Sequence, residues 1–314
     1  MSRLLATPNL EVEAKIDQDL LRARLISRRF FGPALVGLYL GGGYGRGEGG
    51  QRLVQGGWAP ENDYDLFALV RGGKLEARLW RWRVERQLIG ELQAGQAMEY
   101  EVGVIGERAL MRQRPSQMLH DLRQGHLCLW GDCEALLELP CEDPAGLPPA
   151  EGIRLLVNRG ALLVLAAEAE AQGQPLPAVR LDRFLEKARL AVGDAWLLLQ
   201  GRHHHLLRER AARVQREPLL ELPQADLWRA RHASAARAKL EGFSAPPAPE
   251  TLSRALEQLL PAYREALDVA LARVQRQRRR WPFSSDVCEL GLALSAQLRQ
   301  RRGGQDFLSR WRAA

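Results

Sequence analysis

Two aspartates one residue apart, Asp63 and Asp65, open an apolar run that continues to Val70. A glycine-rich stretch, Gly42-Gly43-Tyr44-Gly45-Arg46-Gly47, precedes them. Successive side chains of a strand point to opposite faces, so Asp63 and Asp65 share one face and Tyr64 takes the other. Glycine turns let backbone N–H groups approach an anion, and paired carboxylates hold hard divalent cations. Further acids stand in the run Ala97-Met98-Glu99-Tyr100-Glu101-Val102, where the same alternation puts Glu99 and Glu101 on one face. These residue types suit metal–phosphate chemistry, in which the protein holds a polyphosphate, neutralises its charge and aligns an attacking oxygen.

Such a site needs strands to carry the acids and a turn to carry the glycines. Apolar residues recur at helical spacing over 8–31, and Pro33 ends that helix before a short buried strand at 35–40. The stretch 49–62 is rich in glycine and contains Pro60 and Trp58, which reads as a surface loop. A second strand runs to Val70 and stops at Arg71-Gly72-Gly73, a helix covers 74–92, and a third strand covers 97–105. A helix at 115–123 and a short strand at 126–130 complete the unit. Four prolines within 139–149 mark a domain boundary. Beyond it the chain reads as helices at 153–171, 181–201, 206–216, 226–241, 249–280 and 285–301, with Pro261 kinking or splitting the fifth. The expected class is α+β, with a small mixed-sheet domain at 1–140 and an all-α domain at 150–314.

The 314 residues are 46% hydrophobic and 26% charged, the balance of a globular protein long enough for two domains. The net charge of +7 rests almost wholly on arginine, since lysine occurs only at Lys15, Lys74, Lys187 and Lys239. Arginine grips phosphate in a bidentate fork, so nucleotide or RNA partners fit. No signal peptide and no membrane span are expected. Cys128, Cys133, Cys141 and Cys288 match no zinc spacing and read as reduced thiols of a cytoplasmic protein.

The glycine turn, Asn62-Asp63-Tyr64-Asp65-Leu66 and a later acidic strand together resemble the DNA-polymerase-β-like nucleotidyltransferase superfamily. The segment Met118-Leu119-His120-Asp121-Leu122, with Gly125 and Leu129-Trp130-Gly131-Asp132, is similar to the tail of its minimal catalytic domain. The resemblance covers about 33–140, and the helical half looks loosely like the helical domains that follow such cores. It implies a small mixed-sheet nucleotidyltransferase domain followed by an all-α domain, with NMP transfer from an NTP to an acceptor and release of pyrophosphate. Mg²⁺ or Mn²⁺ would be held by Asp63, Asp65 and Glu101. Glu99 is the alternative third acid; Glu101 is favoured because Val102-Gly103-Val104-Ile105 follows it as an apolar strand. Gly42, Gly43 and Arg46 would hold the nucleotide, and Lys187 would reach a phosphate from the helical domain. Three departures stand out: Gly43 replaces the usual serine, about twenty residues separate it from Asp63, and the third acid is glutamate. The basic charge favours RNA, such as tRNA, or protein as acceptor over a small molecule. A non-catalytic nucleotide- or RNA-binding protein is the competing class.

Fainter signals remain. Arg46 could instead pair with Glu48 at the surface. Lys187 and Asp194 share a helical face and could serve a substrate or form a solvated pair. Asn158 and Arg159 interrupt an apolar run, either lining a cleft or satisfied inside a bundle. His203-His204-His205 read as solvated, because adjacent helical side chains cannot converge on one ion. Arg276, Arg278, Arg279, Arg280 and Trp281, with Arg299, Arg301 and Arg302, form a candidate RNA-binding run.

Overall fold

A computed structural model describes residues 3–140, 143–277, 285–300 and 307–308. Elements in chain order are α1 (Leu10–Phe31), β1 (Leu35–Leu40), the single turn α2 (Gly42–Gly45), β2 (Gly50–Val54), β3 (Gly57–Glu61), β4 (Asp63–Val70), α3 (Lys74–Arg83), α4 (Ile89–Gln93), β5 (Glu99–Gly106), α5 (Gln117–Gln124) and β6 (Leu127–Gly131). Then come α6 (Ala150–Ala171), α7 (Ala178–Leu199), α8 (Leu207–Arg216), α9 (Ala225–Glu241), α10 (Pro249–Gln277) and α11 (Ser285–Gln300). The class is α+β, a small mixed sheet followed by helices. Two compact units form: residues 1–146 with 204–207 and 237–244, and residues 147–203 with 208–236 and 245–314.

In the first unit four strands lie in the order β5-β4-β1-β6. β1 is antiparallel to both β4 and β6, while β4 and β5 are parallel. The parallel pair is joined through α3, a wide helical turn at Val84–Leu88, and α4, as a parallel connection requires. Alternation along β4 feeds two cores. Tyr64, Leu66, Ala68 and Val70 pack with residues such as Ile16 and Leu20 of α1 and Leu92 of α4. Phe67 and Leu69 pack on the other face with Leu119 and Leu122 of α5. Asp63 and Asp65 continue the Phe67 face beyond the apolar stretch, at the mouth of the sheet.

The stretch 49–62 is not a loop. β2 and β3 form a hairpin through Gln55 and Gly56, with Gly56 and Gly57 at φ of 98° and 132°. Gly and Pro60 had masked its short strands. The second unit is a helical bundle built around Trp196, Trp228 and Tyr263. Pro261 lies within α10, which continues through it.

Cys128 and Cys133 form a disulfide, contrary to the expected reduced pair. Gly131, at φ 86°, turns the chain after β6 and brings the two Cα atoms to 5.3 Å, within disulfide range. Cys288 is buried and forms no disulfide among the described residues, and Cys141 lies outside them. Among the described residues, no helix is long and apolar enough to cross a membrane.

Candidate active site

The parallel register of β4 and β5 builds the centre. Asp63 stands beside Glu99 and Asp65 beside Glu101, and side-by-side residues of neighbouring strands point the same way. Carboxylate oxygens of Asp63, Asp65 and Glu101 all lie within 4.8 Å of one another. Glu99 is outside this set among the described residues and is exposed. Asn62, at φ 83°, turns the chain into β4 and its amide donates to the Asp63 carboxylate.

The glycine turn closes on the same point. The Gly41 N–H donates to the Asp65 carbonyl at 2.7 Å, which fixes the start of α2 against β4. Gly42 has φ +61°, and a Cβ there would stand 1.8 Å from Asp65 Oδ2. Only glycine fits this position, because both the backbone conformation and the space exclude a side chain. Gly43 is half-buried in the same turn.

Beneath the acidic face lies a row of tyrosines. Tyr44 of the turn, Tyr64 between the aspartates and Tyr100 between the glutamates follow one another with ring centroids 5.3 and 5.2 Å apart. Each is buried, and tilted aromatic pairs of this kind add attraction beyond simple burial. The row fixes the relative heights of the three segments that carry the site. The Tyr64 hydroxyl donates to Asp19 of α1 at 3.0 Å. The Tyr44 hydroxyl accepts from the Glu61 N–H and lies 2.9 Å from the carbonyls of Gly50 and Glu61, tying both hairpin strands to the turn.

Burial first, then the charges of Asp63 and Glu101, raise the Asp65 carboxyl from an ordinary 3.8 to about 6. Arg46 and Lys239 act against that rise. Lys239 belongs to the first unit although it lies in α9. The Arg46 side chain is largely buried. Its Nη1 is 4.0 Å from Asp121 Oδ2, and its Nε has no hydrogen-bond partner among the described residues. Glu48 is also buried, so it is not a surface residue, and it accepts from the Leu207 N–H at 2.6 Å.

His203-His204-His205 are not solvated. His203 is fully buried, and His204 and His205 are half-buried with stacked rings 4.5 Å apart. His205 shares with Arg46 the space over Gly125. Burial first, then His204, pushes its imidazole down to about 4, so it is neutral at ordinary pH.

Lys187 sits half-buried on α7 in the second unit. Asp194, on the same helix, is neither solvated nor open. Its Oδ1 is 3.0 Å from both Arg210 Nε and His232 Nε2 in the interior of that unit. Arg210 and His232 outweigh the burial penalty and hold its carboxyl well below the usual range. Asn158 is exposed and Arg159 half-buried, so neither is sealed inside the bundle. Of the arginine run, residues 278–281 and 301–302 lie outside the described residues.

Sequence reasoning missed that residues 237–244, Lys239 among them, join the first unit. Nothing near position 239 announces the bridge between Arg52 and Phe243.

No family model and no curated protein matches the sequence. Among solved structures, the chain is similar to spectinomycin adenyltransferase AAD(9) from Enterococcus faecialis, determined with ATP and spectinomycin. The two share 13% identity over 78% of this chain and 98% of that one, with a TM-score of 0.47.

Proposed function

We propose that this chain is a metal-dependent nucleotidyltransferase of the superfamily its motifs resemble, moving an NMP group from an NTP to an acceptor with release of pyrophosphate. One observation carries the reading. Three carboxylates on paired parallel strands converge within 4.8 Å of one another, beside a glycine turn whose first residue leaves no room for a side chain.

The residues suit a hard divalent cation such as Mg²⁺ or Mn²⁺. Asp63, Asp65 and Glu101 offer oxygen ligands, and their mutual repulsion at Asp65 is what a bound cation relieves. Such a cation supplies neutralising charge to the triphosphate and lowers the pKa of an acceptor hydroxyl. The backbone N–H groups of Gly42 and Gly43 bind phosphate oxygens. Arg46 adds positive charge on the triphosphate, and its Nε, without a hydrogen-bond partner among the described residues, offers a donor. Glu101, the most open of the three acids, takes the proton from the acceptor hydroxyl. The Lys187 assignment rests on the family resemblance, and the effect of Lys187→Ala on NTP affinity tests it.

The net charge of +7 supports a polyanionic acceptor, so RNA such as tRNA leads, with protein next. The exposed hairpin residues Leu53, Val54 and Trp58 are placed to choose it. Use of NTP supports a cytoplasmic setting. The test is transfer of label from NTP in lysate with Mg²⁺, comparing wild type with Asp63→Ala/Asp65→Ala and fractionating the products. Label is expected in the RNA or protein fraction with wild type alone. Label that survives the double substitution removes the metal-site assignment.

A further inference from the structure

Arginine is unevenly spread over the first unit. Residues 20–31, the second half of α1, and residues 71–86, which hold α3, carry ten Arg and Lys against two Glu. The two stretches meet at a seam of rings, with Phe30 and Phe31 5.8 and 5.1 Å from Trp80. Guanidiniums stand over these rings and their neighbours. Arg83 lies 4.4 Å from the Trp80 centroid and 5.3 Å from that of Phe30, Arg86 lies 4.8 Å from Trp82, and Arg28 lies 5.2 Å from Trp130 of β6. A ring beneath a guanidinium holds the group in place and leaves its N–H edge open to a ligand. Arg28, Arg78, Arg83 and Arg86 are all exposed, and none pairs with a carboxylate among the described residues. Their basic neighbours are already used. Arg22 donates to the carbonyls of Glu91, Leu92 and Ala94, Arg29 pairs with Glu91, and Arg81 donates to the Val104 carbonyl. Of the two acids, Glu76 accepts from the Gly73 N–H at 2.8 Å at the start of α3. Leu75, Arg78, Leu79, Trp82 and Arg86 recur three and four residues apart, so cations and exposed apolar groups share one face.

We propose that this face, the end of α1 with α3 and Trp130, binds the phosphate backbone of RNA and anchors an RNA acceptor at a distance from the carboxylates. An apolar stripe alone would suit a protein partner. Four open guanidiniums along it, three of them braced on rings, suit a chain of phosphates, each taken by an N–H fork. Trp82, 56% exposed, offers a plane on which an unpaired base stacks. The face stands apart from the catalytic centre. Phe31 leads into Leu35, whose partner Val70 lies seven positions along β4 from Asp63, about 20 Å at the rise of a strand. It therefore holds the body of an acceptor and not its reacting end, and it serves RNA affinity without touching NTP or metal. The anchoring role rests on transfer to RNA as proposed above; the RNA binding itself does not.

The test measures binding of fluorescently labelled mixed tRNA by anisotropy, without NTP, over about 50–200 mM salt. The test variant is Arg28→Gln/Arg78→Gln/Arg83→Gln/Arg86→Gln. The control, Arg112→Gln/Arg114→Gln/Arg216→Gln/Arg254→Gln, removes the same charge from exposed positions elsewhere. The test variant is expected to lose about tenfold or more in affinity and to flatten the slope of log K against log salt by about three, the counterion release of four phosphates. Each single Arg→Gln change should flatten it by about one, which keeps the test decisive if the fourfold variant does not fold. The control should stay within about threefold of wild type, since charges beyond a Debye length are screened. Asp63→Ala/Asp65→Ala should bind RNA as wild type does. Test variants that keep wild-type affinity and slope overturn the face and leave the transfer reading standing, and so does a variant that loses a protein partner but no RNA. Equal losses in test and control variants also overturn it, because net charge alone would then suffice. RNA binding that depends on the face, in a protein that moves no NMP to RNA, removes the acceptor reading and leaves the surface standing.

Discussion

Replacing Asp65 with asparagine is expected to stabilise the metal-free protein while destroying its hold on a divalent cation. Burial, Asp63 and Glu101 together raise this carboxyl from 3.8 to about 6. A raised carboxyl disfavours the ionised fold. Stability from this group is therefore intact below the unfolded value of 3.8 and is lost as pH rises through about 6. Two units correspond to roughly 3 kcal/mol at 1.36 kcal/mol each. Asp65 is partly open to water and its neighbour Glu101 is exposed, so screening cuts this to about 1–2 kcal/mol. Asparagine keeps the shape and removes the charge. For a unit of this size the gain corresponds to a rise in Tm of roughly 2–8 °C. Thermal unfolding in chelator, at about pH 8 and again near pH 4, measures it. The variant should melt above wild type at the higher pH, with the gap closing in acid. Added Mg²⁺ should raise the wild-type Tm and leave the variant unmoved. A variant that melts lower than wild type in chelator at the higher pH, or that keeps the Mg²⁺ shift, refutes the picture of three crowded carboxylates awaiting a cation.

Other outcomes follow from single contacts. Gly42→Ala places a methyl on Asp65 and demands φ +61° of alanine, so calorimetry should find both nucleotide and Mn²⁺ binding lost. Glu101→Gln should lower the transfer rate about a hundredfold or more while Glu99→Gln stays within about threefold, since only the first would lose a general base. Tyr44→Phe strips the partner from the buried Glu61 N–H and should cost about 1–3 kcal/mol in denaturant unfolding. Asp194→Asn removes one buried carboxylate from beside Arg210 and His232 and should destabilise by about 3–5 kcal/mol. The depressed Asp194 carboxyl contributes stability above its unfolded value and loses it as pH falls toward the folded one, so the penalty of this substitution should shrink in acid.

Much of the centre could be read from the chain because its signals are local. β1, β4 and β5 are apolar runs bounded by glycine, and period-two alternation places Asp63 with Asp65 and Glu99 with Glu101. The preference for Glu101 over Glu99 rested on the apolar run that follows it, and the register that sets Asp65 beside Glu101 is a property of the strand pair that neither strand shows alone. The hairpin was hidden by its composition, since glycine and Pro60 lower strand propensity while edge pairing and the Tyr44 hydroxyl supply what propensity lacks. Lys239 was out of reach because the contacts anchoring its segment join residues about 190 positions apart. The histidines at 203–205 were misread for a related reason. His205 stands beside Arg46 over Gly125, residues from a distant part of the chain, whereas its own neighbours suggested solvent.

The claim that this site transfers a nucleotidyl group is tested most directly by where each phosphate goes. Reactions with NTP labelled at the α position and, separately, at the γ position are run with Mg²⁺ and the acceptor fraction that takes label. Nucleotidyl transfer predicts α label retained on the acceptor and γ label released as pyrophosphate, with both signals absent in Asp63→Ala/Asp65→Ala. Label from the γ position on the acceptor, or pyrophosphate release that does not depend on Asp63 and Asp65, contradicts it.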